Sequence, residues 1–356
     1  MLLQDAVAKL SNGAEITYLD TGAPEGVTDY RTFIFVHGTA HNKCTLLPLI
    51  LVSEFLLIVD TFEPTLRATP KGLRGISLSL RGYKGSTALT EDEAKCRVTP
   101  SQLHKTHIDD FAHFVQFVAS DLGVPKRSNN GTGGITTIHW SKGAAVATGL
   151  FYFQNPLYKK IVDEYISSLV LYELPTSAVV GITAGDCATA LFWSRLAAPP
   201  EDPPTMFSKY VAGFYHNAPE YLAGKQIGGK QCIEYYRTGA LEPEFVGYRD
   251  KIYDGTYLES IFHWFLADNE EDRMEACHQA FKNMAHSSVK RIGLLWGSEG
   301  PPECLEGSWI AEKWLEEEEA KGAEKKLVTK QFEGGNHYLQ FYQPAGFWDA
   351  ILELSV

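Results

Sequence analysis

The sequence lacks several features that would define whole classes of protein. It has no apolar run of about 18 residues, which a membrane-spanning helix requires. Acidic residues outnumber basic ones by 44 to 32, giving a formal net charge of −12, whereas a nucleic-acid or anionic-membrane partner would require a basic face. The first residues, Met1–Asp5, have neither the basic region nor the apolar segment of a signal peptide. We therefore expect a cytoplasmic protein that binds neither nucleic acid nor membrane.

Paired cysteines and clustered metal ligands are also missing. The six cysteines lie far apart and none has CxxC spacing: Cys44, Cys96, Cys187, Cys232, Cys277 and Cys304. In a chain of this size, such scattered cysteines are typical of reduced, buried thiols. His104 and His107 have a helical spacing beside Asp109 and Asp110, a pattern that we interpret as the solvated start of a helix. We expect no metal and no cofactor.

What the chain does have is a repeated alternation of apolar strands and amphipathic helices. Its 356 residues are 44% hydrophobic, enough for one large domain with an insertion. Continuous apolar runs predict buried strands at Thr32–Val36, Phe55–Asp60, Ile135–Ile138, Ser168–Tyr172, Arg291–Trp296 and Leu327–Phe332. Helical spacing predicts helices over 108–122, 309–320 and 345–354. Repeated units of this kind favour a parallel sheet covered on both faces.

One long stretch breaks this alternation. Residues 176–285 are rich in aromatic side chains and are interrupted by Pro199-Pro200 and Pro203-Pro204. We interpret this stretch as a mostly helical insertion. The predicted organisation is a core domain formed by residues 1–175 and 286–356, with a cap domain formed by residues 176–285.

The most informative stretch is Ile135–Ala147. A β-branched run ends at Ser141, and small residues then follow at helical spacing. A strand that turns directly into a helix holds the corner residue in a strained conformation, with its hydroxyl exposed and the next backbone N–H free for an oxyanion. The usual pattern also has glycine two residues before the serine, where this chain has His139.

Four motifs occur in a characteristic order along the chain. They are Val36-His37-Gly38, Arg81-Gly82-Tyr83-Lys84-Gly85-Ser86, the Ser141 turn, and Gly335-Asn336-His337. With these motifs, the chain resembles the α/β-hydrolase fold superfamily, in its cap-containing type with a Ser/His/acid triad. The resemblance implies a mostly parallel eight-stranded sheet covered by helices, with a mainly helical cap inserted after strand six.

The resemblance also assigns roles to individual residues. Ser141 takes the place of the nucleophile, and His337 is the expected base, because a serine hydroxyl needs a base to remove its proton. The backbone N–H groups of Lys142 and Thr39 are expected to bind the oxyanion, and His37 is expected to support that loop. The predicted oxyanion- and substrate-binding set is completed by Ala40, Trp140 and Trp193.

The triad acid has two candidates. The usual position follows the seventh strand, where this chain reads Trp296-Gly297-Ser298-Glu299-Gly300, with Gly300 at the expected aspartate. Some branches of the superfamily, including certain haloalkane dehalogenases and the cofactor-independent dioxygenases, place the acid after the strand that precedes the cap. That strand end carries Glu173 here, which we favour, and Glu299 stays the alternative.

Several functions are compatible with these residues. The favoured one is hydrolysis of an ester, a lactone or an activated carbon–carbon bond in a fairly apolar or aromatic small molecule. Leu191–Leu196 and Tyr210–Gly213 are similar to the cap of cofactor-free ring-cleaving dioxygenases, in which the histidine deprotonates the substrate. A non-hydrolytic lyase or cyclase and a ligand receptor are further alternatives. A homodimer is left open, because cap aromatics can face a pocket or a partner subunit.

Overall fold

The structure is a computed structural model that describes residues 3–38, 45–46, 58–59, 61–83, 85–94, 100–128, 131–179, 211, 213–225, 234–237 and 270–355. Eight strands form its main sheet: β1 Gln4–Lys9, β2 Glu15–Asp20, β3 Thr32–Val36, β4 Arg74–Leu78, β5 Ile135–Trp140, β6 Ile166–Tyr172, β7 Arg291–Gly297 and β8 Leu327–Phe332. Their order in the sheet is β1-β2-β4-β3-β5-β6-β7-β8. The pairs β1/β2 and β2/β4 are antiparallel, and the other neighbours are parallel.

Helices connect and cover these strands. They are α1 Glu63–Arg67, α2 Glu91–Ala94, α3 Pro100–Ser120, α4 Ala144–Tyr152, α5 Pro156–Glu164, α6 Pro219–Gly224, α7 Glu270–Ala285, α8 Pro302–Ala320, α9 Leu339–Tyr342 and α10 Pro344–Ser355. Single 3₁₀ turns lie at Ser141–Gly143 and Thr176–Ala178. None of the helices within the described ranges combines the length and apolarity that a membrane span requires.

Both faces of the sheet are covered by apolar side chains, as the apolar runs predict. In β3, Ile34 and Val36 join a core layer that includes residues of α3, α4, α7 and α8, while Phe33 and Phe35 join the opposite layer with α10. The four side chains are fully buried. Because successive residues of a strand point to opposite faces, a continuous apolar run is what this double layer requires.

Two strands of the main sheet, β1 and β4, were not predicted from sequence, and the described part of one predicted strand lies in a different sheet. Within the predicted strand Phe55–Asp60, the described pair Ile58–Val59 pairs antiparallel with Thr45–Leu46, outside the main sheet. The strand between β2 and β3 is instead Arg74–Leu78. Its polar residues hid it, because Arg74 is buried and forms an ion pair of 2.5 Å with the buried Asp20. A buried charge with a paired counter-charge leaves no apolar pattern to recognise.

Residues 176–285 come between β6 and β7 in the chain, after the sixth strand of the sheet. That they form a separate, mainly helical cap domain stays a prediction. Much of the range 176–285 falls outside the described residues. The described parts include an antiparallel pair, Phe214–His216 with Glu234–Arg237, and the helices α6 and α7. Helix α7 packs on α4 and α8, and its residues Phe281 and Met284 are buried in the core layer of the sheet.

Candidate active site

Ser141 lies at the turn between β5 and α4. Its φ of +54° is in the left-handed region, which costs roughly 1–3 kcal/mol for a residue other than glycine. The neighbouring loop after β3 approaches closely, because a Cβ added to Gly38 would lie 2.9 Å from Ser141 Cβ and 3.4 Å from its Oγ. The half-buried serine therefore stands at the carboxyl end of the parallel strands, directly against this loop.

The close approach of helix and strand explains the residues around the serine. A Cβ added to Gly143 would lie 2.7 Å from the carbonyl oxygen of His37, so only glycine fits there. Two residues before the serine, the His139 side chain is fully buried, packs its ring against Phe111 and donates from Nδ1 to the Gly143 carbonyl at 3.1 Å. Burial lowers the pKa of His139 to about 3, so it is a neutral structural side chain.

His337 and Glu173 meet at the same edge of the sheet. Nδ1 of His337 lies 3.0 Å from Oε2 of Glu173, and both side chains are buried. The other carboxylate oxygen, Oε1, accepts from the backbone N–H of Gly297 at 2.6 Å. Glu173 also has a left-handed φ, of +50°. Both oxygens of its carboxylate are therefore fixed, with one of them directed at the imidazole.

The backbone of His337 is held from two sides. Its carbonyl oxygen lies 3.0 Å from Nε1 of Trp140 and 3.1 Å from the hydroxyl of Tyr172. The ring centroids of Trp140 and His337 are 5.1 Å apart. Since Trp140 directly precedes Ser141, the same strand end that presents the serine also supports the histidine.

His37 links the loop after β3 to the loop after β4. Its Nε2 accepts from the backbone N–H of Leu80 at 3.0 Å, so Nδ1 carries the proton and donates to the Gly38 carbonyl at 2.8 Å. Burial lowers the pKa of His37 to about 4. A neutral imidazole with both nitrogens engaged holds the loop and has no free position for proton transfer.

Strained backbone concentrates at this site. Among the described residues, three non-glycine residues have a positive φ, namely Ser141, Glu173 and Lys225. Two of the three are therefore the predicted nucleophile and the carboxylate that contacts His337. Strain of this kind persists only where the surrounding structure enforces it, and it clusters at functional sites.

Two residues at the start of α8 complete the surroundings and were not singled out as functional from sequence. Sγ of the buried Cys304 lies 3.7 Å from Nδ1 of His337. Burial raises the pKa of Cys304 well above its usual value, and Glu173 and Glu303 raise it further. Burial also raises the pKa of Glu303 to about 7, opposed by the charge of Lys142. No sequence motif marks Glu303 and Cys304, because only the folded sheet brings the start of α8 to the loops that carry Glu173 and His337.

The remaining predicted residues are placed as follows. Glu299 donates its backbone N–H to Gly335 and accepts from Tyr215, while the carboxylate that contacts His337 belongs to Glu173. Lys142 follows Ser141 in the 3₁₀ turn, and Trp140 is fully buried with its indole N–H directed at His337. For both residues, the contact with oxyanion or substrate stays a prediction. Thr39, Ala40 and Trp193 lie outside the described residues.

Of the comparisons with known proteins, the one with solved structures finds matches, and these share one fold. No family model and no curated protein matches the chain. Among solved structures, a laboratory-evolved variant of a potato epoxide hydrolase matches with a TM-score of 0.56 and 14% identity over 99% of this chain and 98% of that one.

Two other solved structures match over similar lengths. A serine hydrolase involved in carbazole degradation has a TM-score of 0.55 and 13% identity over 99% and 98% of the two chains. A bromoperoxidase from Bacillus anthracis has a TM-score of 0.53 and 14% identity over 99% of each chain. The chain has the α/β-hydrolase fold, as its motifs predict. Because proteins of this fold perform many reactions, the activity has to be argued from the site.

Proposed function

We propose that this protein is a serine hydrolase that uses Ser141, His337 and Glu173 as its catalytic triad. The observation that carries the proposal is the buried contact of 3.0 Å between His337 Nδ1 and Glu173 Oε2, at the sheet edge where Ser141 stands on its strained turn. A carboxylate at Nδ1 holds the proton on that nitrogen and leaves Nε2 free to act as a base.

In this mechanism, Ser141 Oγ attacks the carbonyl carbon of the substrate while His337 Nε2 takes the hydroxyl proton. Glu173 stabilises the imidazolium, and the oxyanion receives the backbone N–H of Lys142, with Thr39 as the predicted second donor. The imidazolium then protonates the leaving group, and the acyl-serine is released when water, deprotonated by His337, attacks it. A fluorophosphonate or an activated ester should therefore react at Ser141.

We propose an ester, a lactone or an activated carbon–carbon bond as the group cleaved, in a fairly apolar small molecule. The aromatic composition of residues 176–285 supports an apolar substrate, because ligand pockets are lined mainly by apolar and aromatic side chains. The named relatives of this fold include a serine hydrolase of carbazole degradation and a phospholipase A. A serine in place of an aspartate nucleophile argues against dehalogenation.

The test is covalent labelling of the full chain with a fluorophosphonate probe, followed by peptide mapping. We expect labelling at Ser141, no labelling of Ser141→Ala, and full labelling of the control Ser120→Ala, which changes an exposed serine at the end of α3. Hydrolysis of p-nitrophenyl esters should fall by several orders of magnitude in Ser141→Ala. An unlabelled wild-type protein without esterase activity would contradict the proposal.

The position of Glu173 favours one second candidate. A histidine paired with an acid after the sixth strand is the arrangement that the resemblance gives to cofactor-free dioxygenases. In that reaction, His337 removes a proton from a substrate hydroxyl, and the substrate anion reacts with O₂. Oxygen uptake that survives Ser141→Ala but is lost in His337→Ala would support this candidate over the hydrolase.

A further inference from the structure

Three potential metal ligands converge at the candidate triad, and two of them are triad residues. They are Glu173, Cys304 and His337, and one ligand atom from each lies within 4.8 Å of the other two. Nδ1 of His337 is 3.0 Å from the Glu173 carboxylate and 3.7 Å from Cys304 Sγ. All three side chains are buried. The mechanism proposed above uses His337 and Glu173 and gives the Cys304 thiol no role.

We propose that Glu173, Cys304 and His337 form a binding site for a thiophilic divalent cation such as Zn²⁺, and that an ion bound there inhibits the enzyme. The inhibitory part of this inference rests on the proposed hydrolase function. The binding part rests only on the arrangement of the three side chains.

The donor set and the distances fit zinc. Imidazole nitrogen, thiolate sulfur and carboxylate oxygen are the three ligand types that Zn²⁺ takes from proteins, and three protein ligands leave a fourth position for water. With tetrahedral angles, ordinary bond lengths put the nitrogen and sulfur ligands about 3.6 Å apart and the nitrogen and oxygen ligands about 3.4 Å apart. The structure has 3.7 Å and 3.0 Å for these pairs, and the carboxylate and thiol ligand atoms lie within 4.8 Å of each other, so side-chain rotations can bring all three ligand atoms to bonding distance.

The three ligands come from separate and well-anchored backbone segments. The backbone N–H of Glu173 donates a hydrogen bond to the Leu295 carbonyl, and that of Cys304 donates to the Pro301 carbonyl. The carbonyl of His337 is held by Trp140. Because the three side chains are already positioned, they lose little conformational entropy when the ion binds.

The charges also favour a dication. Binding releases the proton of the Cys304 thiol, and a Zn²⁺ ion with one thiolate, one carboxylate and a neutral imidazole forms a cluster with no net charge. A neutral cluster can stay in a buried site without the large desolvation cost of an isolated charge. The bound ion supplies the positive charge that the adjacent thiolate and carboxylate require.

Occupation of this site removes the catalytic base. A metal on Nδ1 shifts the proton of the neutral imidazole to Nε2, the nitrogen that must accept the proton of Ser141. The Glu173 carboxylate binds the ion instead of the imidazole N–H. Both changes prevent activation of the serine, while the nucleophile and its turn are left unchanged.

The experiment is a titration of the full, reduced chain with Co²⁺, read by absorption. We expect a thiolate-to-cobalt charge-transfer band with the intense visible bands of tetrahedral cobalt, all abolished by competing Zn²⁺. Cys304→Ser should lose the charge-transfer band and bind Zn²⁺ at least about 100-fold more weakly, since even a residue that only supports a ligand is worth 10–100-fold. The matched control is Cys277→Ser, which removes the half-buried thiol of α7 and should keep the full spectrum.

A second variant protects the test against misfolding. His337→Gln keeps the thiol and should also bind Co²⁺ more weakly, with circular dichroism as the check on folding. Identical spectra and zinc affinities in wild type, Cys304→Ser and His337→Gln would overturn the metal site.

The spectrum is independent of turnover, so the two proposals fail separately. Ser141→Ala should retain the cobalt bands. If the wild-type protein shows these bands but no fluorophosphonate labelling, the metal site stands and the hydrolase proposal fails. If both hold, Zn²⁺ should block labelling of Ser141 and a chelator should restore it; labelling that persists at saturating Zn²⁺ would refute the inhibition.

Discussion

The ends of strands β6 and β7 lie side by side in the sheet and differ in what they carry. The end of β6 carries a fully buried carboxylate, Glu173, on a strained residue. The end of β7 carries glycines at positions 297 and 300. A Cβ at Gly297 would lie 2.1 Å from the Gly335 carbonyl, and one at Gly300 would lie 2.9 Å from both oxygens of Glu173.

The difference shows that the glycines at the end of β7 leave the space that the carboxylate at the end of β6 occupies. The glycines of β7 allow the loop that bears His337 to approach and leave space for the carboxylate of the neighbouring strand. The backbone of β7 also contributes a hydrogen bond from Gly297 N–H to that carboxylate. The carboxylate and the space that it occupies therefore belong to different strands, and each can be changed separately.

The largest effect should come from the carboxylate itself. Glu173→Gln removes the negative charge that holds the His337 tautomer, so kcat for ester hydrolysis should fall by about 10³–10⁴-fold. The matched control Glu299→Gln changes the neighbouring candidate at the end of β7 and should stay within about threefold of wild type. Steady-state kinetics on the two variants measure both values. A reversal of the two effects would move the acid to β7.

The next effect should come from filling the space at β7. Gly300→Ala places a methyl group 2.9 Å from both carboxylate oxygens, which forces the acid away from the imidazole. A displacement of several tenths of an ångström should lower kcat by about 10–100-fold. Gly346→Ala, in α10 against the Phe332 ring, is the control and should leave kcat unchanged. Wild-type kcat in Gly300→Ala would mean that the acid needs no such space.

A smaller effect should follow from transferring the acid from the end of β6 to the loop after β7. The oxygens of an aspartate lie about 2.4 Å from its Cβ by standard bond geometry, and the Glu173 oxygens lie 2.9 Å from the Cβ position of residue 300. Adding Gly300→Asp to Glu173→Ala should therefore recover about tenfold in kcat over Glu173→Ala alone. Comparison of the two variants with the same ester measures the recovery. No gain would show that the β7 backbone cannot present a carboxylate to His337.

The sequence carried enough information for the fold and for the separate parts of the site. Continuous apolar runs identified β3, β6 and β7, because strands covered on both faces need apolar residues at every position. The turn at Ser141 was recognisable from local residues alone. Strand β4 escaped because its buried Arg74 is neutralised by Asp20, a pair that only the sheet creates.

The contacts within the site could not be derived in this way. Glu173, Cys304 and His337 are far apart in the chain and meet only through the order of β6, β7 and β8 and the start of α8. The choice between Glu173 and Glu299 likewise depended on the direction in which each strand end points. Positive φ at Glu173 is a property of the folded backbone, and no sequence pattern indicated it.

The smallest effect concerns a second carboxyl group close to the first. Glu303 lies near the start of α8, and burial, with the charges of Glu306 and Glu173, raises its pKa to about 7, while Lys142 opposes the rise. Since the folded pKa lies above the unfolded value of about 4.3, the contribution of Glu303 to stability is fully present below that value. It is lost as the pH rises through 7.

Glu303→Gln stays neutral at every pH and should therefore gain stability relative to wild type between about pH 5 and pH 8, on the order of 1–3 kcal/mol. Urea unfolding at both pH values, with a chelator present, measures this difference. Glu316→Gln, at an exposed position of the same helix, is the control and should show no such pH dependence. An equal stability difference at the two pH values for Glu303→Gln would mean that the carboxyl of Glu303 is ionised throughout, and that the site tolerates this second negative charge close to Glu173.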